Sequence, residues 1–180
     1  MSAKKSKTQT TSLPYTIPGL DDASANRLIE ILQLRLHALN DLQLTLKHVH
    51  WNVVGPHFIA VHEMIDPQVE KVRAMADETA ERIATLGGSP VGTPGALVEA
   101  REWDDYDVLR AGTQRHLAAL DTVYEGVITS HRAAISEVGD LDPVTEDMVI
   151  GQANQLELFH WFVRAHLEDQ GGNLTGGSSK

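Results

Sequence analysis

The chain of 180 residues contains no cysteine. This absence excludes a disulfide scaffold, a thiolate zinc site, an iron–sulfur cluster and a cysteine nucleophile. Aromatic residues are scarce at 5% of the sequence, and no apolar run approaches the roughly 18 residues that a membrane span needs. The first residues carry lysine but no apolar segment typical of a secretory signal. Composition therefore predicts a soluble, cytoplasmic protein of one domain without a membrane partner.

Positive charge is also in short supply, because 15 Lys and Arg residues face 25 Asp and Glu residues for a net charge of -10. The overall electrostatic potential of an acidic body does not attract nucleic acid. The polar stretch 1–20 differs, since its only charged side chains are Lys4, Lys5 and Lys7. We predict a flexible N-terminal tail over residues 1–20, a helical body over 21–170 and a flexible Gly/Ser-rich tail over 171–180.

Helical periodicity dominates the body. Apolar residues recur at spacings of three and four in four long stretches, which are 22–53, 57–86, 105–137 and 143–169. Glycine and proline interrupt residues 87–103, which leave room for a short helix at 95–101, and no segment shows a strand pattern. A connection of this length can cross the bundle. The sequence therefore predicts an all-α, ferritin-like four-helix bundle with a crossover between helices two and three, in preference to a simple up-down bundle.

Histidines and carboxylates concentrate around the turn between the first two helices. His50 lies six residues before Pro56 and His62 lies six residues after it, so an antiparallel hairpin places both at the same height. Asp66 follows His62 by four residues and shares its face of the helix. Neutral imidazole with carboxylate suits Fe(II), with Zn or Mn as possible competitors.

A second pair of carboxylates, Asp77 and Glu81, lies farther along the same helix on nearly the same stripe. From His62 to Asp77 the helix rises about 22 Å, far beyond the reach of a single ion with ligands at about 2.0–2.2 Å. The two groups could share an ion if two copies of the helix packed antiparallel across a two-fold axis. The spacing therefore predicts two equivalent metal sites, each built from two chains.

The usual ferritin site inside one bundle is a different arrangement. It needs Glu from two helices and a Glu-x-x-His motif from each of the other two. Only Glu157 and His160 fit that motif here, so one copy cannot build the site. We interpret this pair as an exposed glutamate beside an interior histidine.

The sequence resembles the Dps family, the DNA-binding proteins from starved cells, or miniferritins. The similarity extends over about 150 residues, from Ile17-Pro18-Gly19 to His160-Trp161-Phe162, and its motifs are His50-Trp51-Asn52, Val61-His62-Glu63-Met64-Ile65-Asp66, Asp77 and Ala80-Glu81-Arg82-Ile83. The resemblance implies a dodecameric cage of 23 symmetry that oxidises Fe(II), preferably with hydrogen peroxide, stores ferric mineral and protects DNA from oxidative damage.

The family's di-iron ligands map onto His50 and His62 of one subunit and onto Asp66, Asp77 and Glu81 of its two-fold mate, with Asp66 alternatively bridging or binding a second metal. Trp51 would supply an electron when one iron is bound, or would simply be an interface aromatic. Acidic residues around the turn between the last two helices would line an iron pore or form a solvated, helix-capping loop; these are Glu137, Asp140, Asp142, Glu146 and Asp147.

Two rival functions remain open beside the ferroxidase and iron-storage cage. The first is a nucleoid-compacting DNA-binding protein with secondary metal chemistry, which would use Lys4, Lys5 and Lys7 and would place the protein on the nucleoid. The second is a metal-dependent hydrolase, because carboxylate and histidine sites also activate water. The ligand set is complete and the lysine tail is meagre, so iron chemistry is the leading hypothesis.

Overall fold

The structure, a computed structural model, describes residues 12–168. Its elements follow in the order α1 (Asp22–Asn52), β1 (Val53–Val54), α2 (Phe58–Thr85), α3 (Pro94–Ala100), β2 (Ala111–Gly112), α4 (Thr113–Val138) and α5 (Pro143–Leu167). The four long helices with a short helix between the second and third confirm the predicted fold class. Within the described range, no helix is long and apolar enough to cross a membrane.

Two helical hairpins form the bundle, because α1 and α2 are joined by a short turn and α4 and α5 by another. Each helix buries a stripe of apolar residues with helical spacing, such as Leu28, Leu32, Leu39 and Leu46 on α1, which are all fully buried. The stripes of all four long helices join in a single core. Burial of these stripes supplies the main stabilisation of the bundle.

Polar caps and one glycine fix the ends of the helices. The Asp21 side chain accepts a hydrogen bond from the Ser24 N–H at the start of α1, and Asp142 caps α5 through Thr145 N–H. Gly87 ends α2 with φ +91° and lies against the carbonyl of Tyr15, so that a Cβ atom there would come within 1.9 Å of that oxygen. The segment 12–20 therefore packs closely on the end of α2.

The crossover differs from the prediction in two ways. The third long helix was expected to begin at residue 105, but α4 begins at Thr113, and the expectation of no strand is wrong because β1 pairs in parallel with β2. Side-chain contacts hold residues 101–112 against α1 instead of letting them continue a helix. The Trp103 indole donates to Asp41 at 2.7 Å, and the His48 imidazole donates to the carbonyl of Val108 at 2.9 Å.

Candidate metal centre

The hairpin between α1 and α2 brings His50 and His62 into direct contact. Their rings stack with centroids 3.6 Å apart. The Nδ1 atom of His50 lies 3.0 Å from the carbonyl oxygen of His62, and the Nδ1 atom of His62 lies 2.9 Å from the carbonyl oxygen of His50. A carbonyl oxygen only accepts, so each Nδ1 must carry the proton and donate it.

This reciprocal pairing fixes the chemistry of both rings. With the proton on Nδ1, the neutral tautomer has a free lone pair on Nε2, which is the form that binds metals. Neither Nε2 atom makes a hydrogen bond to any residue within 12–168. His50 is buried and His62 is half-buried, so packing as well as hydrogen bonds holds the two rings in place.

Asp66 completes this end of α2. Its Oδ1 atom lies 3.2 Å from Nδ1 of His50 and 2.7 Å from the ammonium nitrogen of Lys47. The hydrogen bond from Lys47 holds the pKa of the Asp66 carboxyl below its usual value, and the two histidines act in the same direction. Asp66 therefore lies with the histidines of its own subunit, contrary to its expected grouping with Asp77 and Glu81. We call His50, His62 and Asp66 the histidine half-site.

Lys47 was missed by the sequence analysis, although its position carries a signal. It precedes His50 by three residues, which places it on the same face of α1, directed towards α2. Its ammonium group lies 2.7 Å from Oδ1 of Asp66 and offsets part of the negative charge of that carboxylate.

Asp77 and Glu81 lie at the other end of α2, one helical turn apart, and both are exposed. Their carboxylates make no hydrogen bond or ion pair in the part of the chain that the structure describes. Asp77 borders an open cleft of about 690 Å³ between α1, α2 and the crossover. We call this pair the carboxylate half-site.

The two half-sites do not meet within the subunit. Among residues 12–168, no group of three or more His, Asp or Glu side chains is arranged to hold a metal ion. This agrees with the sequence argument that 15 residues of helix, about 22 Å, separate His62 from Asp77. The two half-sites of one subunit therefore do not form a single ligand set.

Exposed aromatic and aliphatic side chains surround the histidine half-site. Trp51 is 71% exposed, and Phe58 and Ile59 at the start of α2 are 41% and 50% exposed. The Phe58 ring packs edge-on against His62 with centroids 6.0 Å apart. Apolar side chains grouped in this way are typical of an interaction surface.

Glu157 and His160 do not form a metal site. Glu157 accepts a hydrogen bond from Arg132, and His160 donates to Asp121 at 2.6 Å, while Asp121 also accepts from Arg164. Burial opposes ionisation of Asp121, but the hydrogen bonds from Arg164 and His160 outweigh it and lower the pKa of this carboxyl. The geometry agrees with an interior histidine paired to a carboxylate across α4 and α5.

The acidic residues near the α4–α5 turn have different surroundings. Asp142 is buried, caps α5 and forms an ion pair with Arg82 at 2.5 Å. Burial opposes ionisation of this carboxyl, but the hydrogen bonds from Thr145 and Arg82 outweigh it and lower the pKa of Asp142. Glu137 pairs with Arg27. Asp140 and Asp147 are exposed, whereas Glu146 is half-buried. Lys4, Lys5 and Lys7 lie outside the described residues.

Three histidines outside the metal centre are buried, and each ring is only partly hydrogen-bonded. His37, His116 and His131 each have one ring nitrogen without a hydrogen-bond partner in the described structure. Burial lowers the pKa of all three, and lowers that of His131 to about 4, with the nearby Arg35 acting in the same direction. These rings are therefore neutral at physiological pH.

The sequence and the fold of the chain are similar to those of known proteins. A family model described as a ferritin-like domain matches residues 29–170. The chain is 63% identical over 161 residues to the "DNA protection during starvation protein" of Mycolicibacterium smegmatis, which covers 89% of this chain and 88% of that protein. Among solved structures, "DpsA14 from Streptomyces coelicolor" matches with a TM-score of 0.90 and 64% identity over 93% of this chain and 99% of that one. A tetragonal crystal form of Mycobacterium smegmatis Dps matches with a TM-score of 0.89 and 62% identity over 92% and 99%.

Proposed function

Because the chain belongs to the Dps family of ferritin-like proteins, we propose that it is a ferroxidase whose di-iron centres are shared between two subunits. The observation that carries this proposal is the separation of the two half-sites, which lie towards opposite ends of α2. Each half-site presents unused metal-binding atoms, and each is too far from the other to complete a centre within its own chain.

Two copies related by a two-fold axis bring the halves together. If α2 of one subunit packs antiparallel to α2 of the other, the histidine half-site of each faces the carboxylate half-site of its mate. One such interface completes two equivalent centres, as expected for an isologous dimer. The exposed Trp51, Phe58 and Ile59 beside the histidines provide apolar surface for the same contact.

The ligand chemistry suits iron oxidation. The neutral Nε2 atoms of His50 and His62 bind Fe(II), and carboxylates stabilise the Fe(III) that forms, because anionic oxygen ligands favour the more highly charged ion. Two Fe(II) ions at one centre deliver two electrons together to hydrogen peroxide, which is reduced to water without release of hydroxyl radical. Zn(II) and Mn(II) are competitors for the same ligands.

The assembly proposed for this activity is a homododecameric cage of 23 symmetry that stores the ferric product as mineral in the cytoplasm. Of the candidate pore residues, Glu137, Asp140 and Asp147 are exposed, and the carboxylate of Glu137 is paired with Arg27. Asp140 and Asp147 are therefore the better candidates to attract cations. Asp142 has a structural role in either case, since it caps α5 and pairs with Arg82.

Complementation between two variants tests ligand sharing. The double variants His50→Ala/His62→Ala and Asp77→Ala/Glu81→Ala should each lose peroxide-driven Fe(II) oxidation, because each removes one half of every centre. When the two are dissociated, mixed and reassembled, hybrid interfaces pair one intact half from each chain. Activity should then recover in part, measured as the rate of ferric absorbance after peroxide is added to anaerobic Fe(II).

The controls separate ligand loss from misassembly. Glu70→Ala changes an exposed carboxylate on α2 outside the half-sites and should leave the rate unchanged. Light scattering should give the same particle mass for wild type, both double variants and the hybrid. A lack of recovery in verified hybrids would count against sharing, and a monomer at micromolar concentration would exclude the two-chain centre.

DNA binding is the second candidate function. It is favoured by the lysines at positions 4, 5 and 7, which a cage of twelve subunits would present many times over, so that weak single contacts add up. The acidic charge of the whole chain opposes it. Bound in this way, the protein would lie on the nucleoid and protect DNA by compaction as well as by removing iron and peroxide.

A further inference from the structure

Tyr106, in the crossover between α3 and β2, is hydrogen-bonded to a histidine. Its hydroxyl oxygen lies 2.9 Å from Nδ1 of His116 in the first turn of α4. The two rings are nearly parallel, with an interplanar angle of 10° and centroids 6.1 Å apart. The Tyr106 ring is half-buried, and His116 is fully buried.

Both groups of the pair are uncharged at neutral pH. Burial raises the pKa of the Tyr106 phenol and lowers the pKa of His116, so at neutral pH the phenol keeps its proton and the imidazole is uncharged. With the proton of the neutral imidazole on Nε2, Nδ1 accepts a hydrogen bond from the Tyr106 hydroxyl, whose oxygen also lies 3.5 Å from the carbonyl oxygen of His116. The backbone carbonyls of Asn52 and Leu109 face the ring and favour the imidazolium if a second proton arrives.

Such a phenol can lose an electron only if it loses its proton in the same event. A buried tyrosine whose hydroxyl already donates to a neutral imidazole has a base in place to take that proton. The other two tyrosines lack this arrangement: the Tyr15 hydroxyl donates to the carbonyl of Ala84, and the Tyr124 hydroxyl donates to the amide oxygen of Gln68. Neither carbonyl oxygen is a base at physiological pH.

The pair also contacts α1 two residues before a member of the histidine half-site. The Tyr106 ring packs edge-on against His48 with centroids 5.7 Å apart, and His48 precedes His50 by two residues on α1. The pairing of β1 with β2 fixes the end of α1 against the start of α4, where His116 is located. About one helix diameter, roughly 10 Å, separates the two faces of α1 on which His48 and His50 lie.

We propose that Tyr106, with His116 as its proton acceptor, is a one-electron donor to the ferroxidase centre when only one Fe(II) is bound. This inference rests on the proposed ferroxidase function. Reduction of hydrogen peroxide to two water molecules takes two electrons and two protons. The single Fe(II) supplies one electron and becomes Fe(III), and Tyr106 supplies the other and becomes a neutral tyrosyl radical. The phenolic proton moves to Nδ1 of His116, while solvent supplies the two protons for water.

Freeze-quench electron paramagnetic resonance tests the proposal on the assembled full-length protein. The cage is loaded anaerobically with one Fe(II) per centre, mixed with hydrogen peroxide and frozen at intervals. We expect a tyrosyl radical signal in wild type whose hyperfine splitting collapses when the protein is made with ring-deuterated tyrosine. Tyr106→Phe, which removes only the hydroxyl, should abolish it, and Tyr124→Phe should leave it unchanged.

Two further variants examine the roles of the neighbouring groups. His116→Gln keeps a hydrogen-bond acceptor but removes the base, so the tyrosyl signal should be lost although the helix content is retained. Trp51→Phe removes the rival electron donor and should leave the tyrosyl signal in place. A radical that survives Tyr106→Phe, or that disappears with Trp51→Phe, would overturn the assignment.

The same samples distinguish failure of this inference from failure of the proposed function. With two Fe(II) per centre both electrons come from iron, so Tyr106→Phe should oxidise iron at the wild-type rate. Normal iron oxidation with no tyrosyl radical at one Fe(II) per centre would refute the role of Tyr106 alone. Absence of peroxide-driven iron oxidation at either loading would refute both.

Discussion

At the scale of single residues, the backbone of the hairpin determines which nitrogen of each histidine is free. The carbonyl of His62 holds Nδ1 of His50, and the carbonyl of His50 holds Nδ1 of His62. Neither ring can rotate or change tautomer without losing a hydrogen bond worth about 1 kcal/mol. Sequence spacing was sufficient to predict that the two histidines are neighbours. It could not predict this exchange, because backbone carbonyls are not encoded by side-chain identity.

The ammonium group of Lys47 should compete with a metal cation for the Asp66 carboxylate. Replacing Lys47 with glutamine should strengthen binding of a divalent cation at Asp66 by roughly tenfold, because the ammonium group no longer occupies that carboxylate. Calorimetric titration of the assembled protein with redox-inert Zn(II) measures the change. Lys71→Gln removes an exposed lysine from α2 and serves as the matched control. Unchanged affinity in Lys47→Gln would show that the ion pair does not compete with metal.

Burial of His131 should make the free energy of unfolding depend on pH. The pKa of His131 in the folded protein is about 4, below the unfolded value of 6.5, so the unfolded chain binds the extra proton first as the pH falls. The neutral ring therefore contributes its full stabilisation above pH 6.5, and roughly 3 kcal/mol is lost between pH 6.5 and about 4.

Denaturant unfolding at about pH 7.5 and about pH 5 measures this loss. In His131→Leu the difference in unfolding free energy between the two pH values should shrink, since this imidazole is no longer there to be protonated in the unfolded chain. His166→Leu changes an exposed histidine on α5 and should keep the wild-type pH dependence. An equal pH dependence in wild type and His131→Leu would contradict the assignment.

At the scale of secondary structure elements, periodicity predicted the long helices well and the crossover poorly. The four stripes of apolar residues are local features, so a sequence pattern reveals them. The conformation of residues 101–112 depends on contacts with α1 across some 60 positions, such as Trp103 with Asp41 and His48 with Val108. No local pattern encodes these contacts, and the helix was therefore predicted to begin eight residues before Thr113.

Asp142 links two elements, since it caps α5 and pairs with Arg82 near the end of α2. Asp142→Ala should lower the free energy of unfolding by about 3 kcal/mol, because it removes the cap and leaves a mostly buried guanidinium unpaired. Chemical denaturation measures the loss. Asp140→Ala, two residues earlier and exposed, should change stability by no more than about 0.5 kcal/mol. Equal effects of the two substitutions would show that the cap and ion pair contribute little.

At the scale of the whole molecule, the two half-sites lie too far apart on one subunit to hold one ion together. Sequence spacing alone predicted this separation, because the rise of a helix is fixed by its geometry. What spacing did not reveal is the ion pair between Asp66 and Lys47, which depends on how α1 faces α2.

The N-terminal lysines lead to a prediction for DNA. Deleting residues 2–8 should abolish retardation of plasmid DNA and leave iron oxidation unchanged, because the deletion removes every charged side chain of the tail. Binding by the full-length protein should weaken steeply as salt rises, since several tails release counterions together. Gel retardation at increasing salt measures both effects. Retardation that survives the deletion would place the DNA contacts on the acidic body.

The parallel pairing of β1 with β2 also has a consequence for folding kinetics. Val53 pairs with Ala111, 58 positions later, whereas α1 with α2 and α4 with α5 form hairpins between neighbours in the chain. Closing such a long loop costs more entropy than closing either hairpin. We therefore expect the two hairpins to form early and the strand pair to close last. Native-state hydrogen exchange should show the amides of Val54 and Gly112 opening well before those of the helix centres.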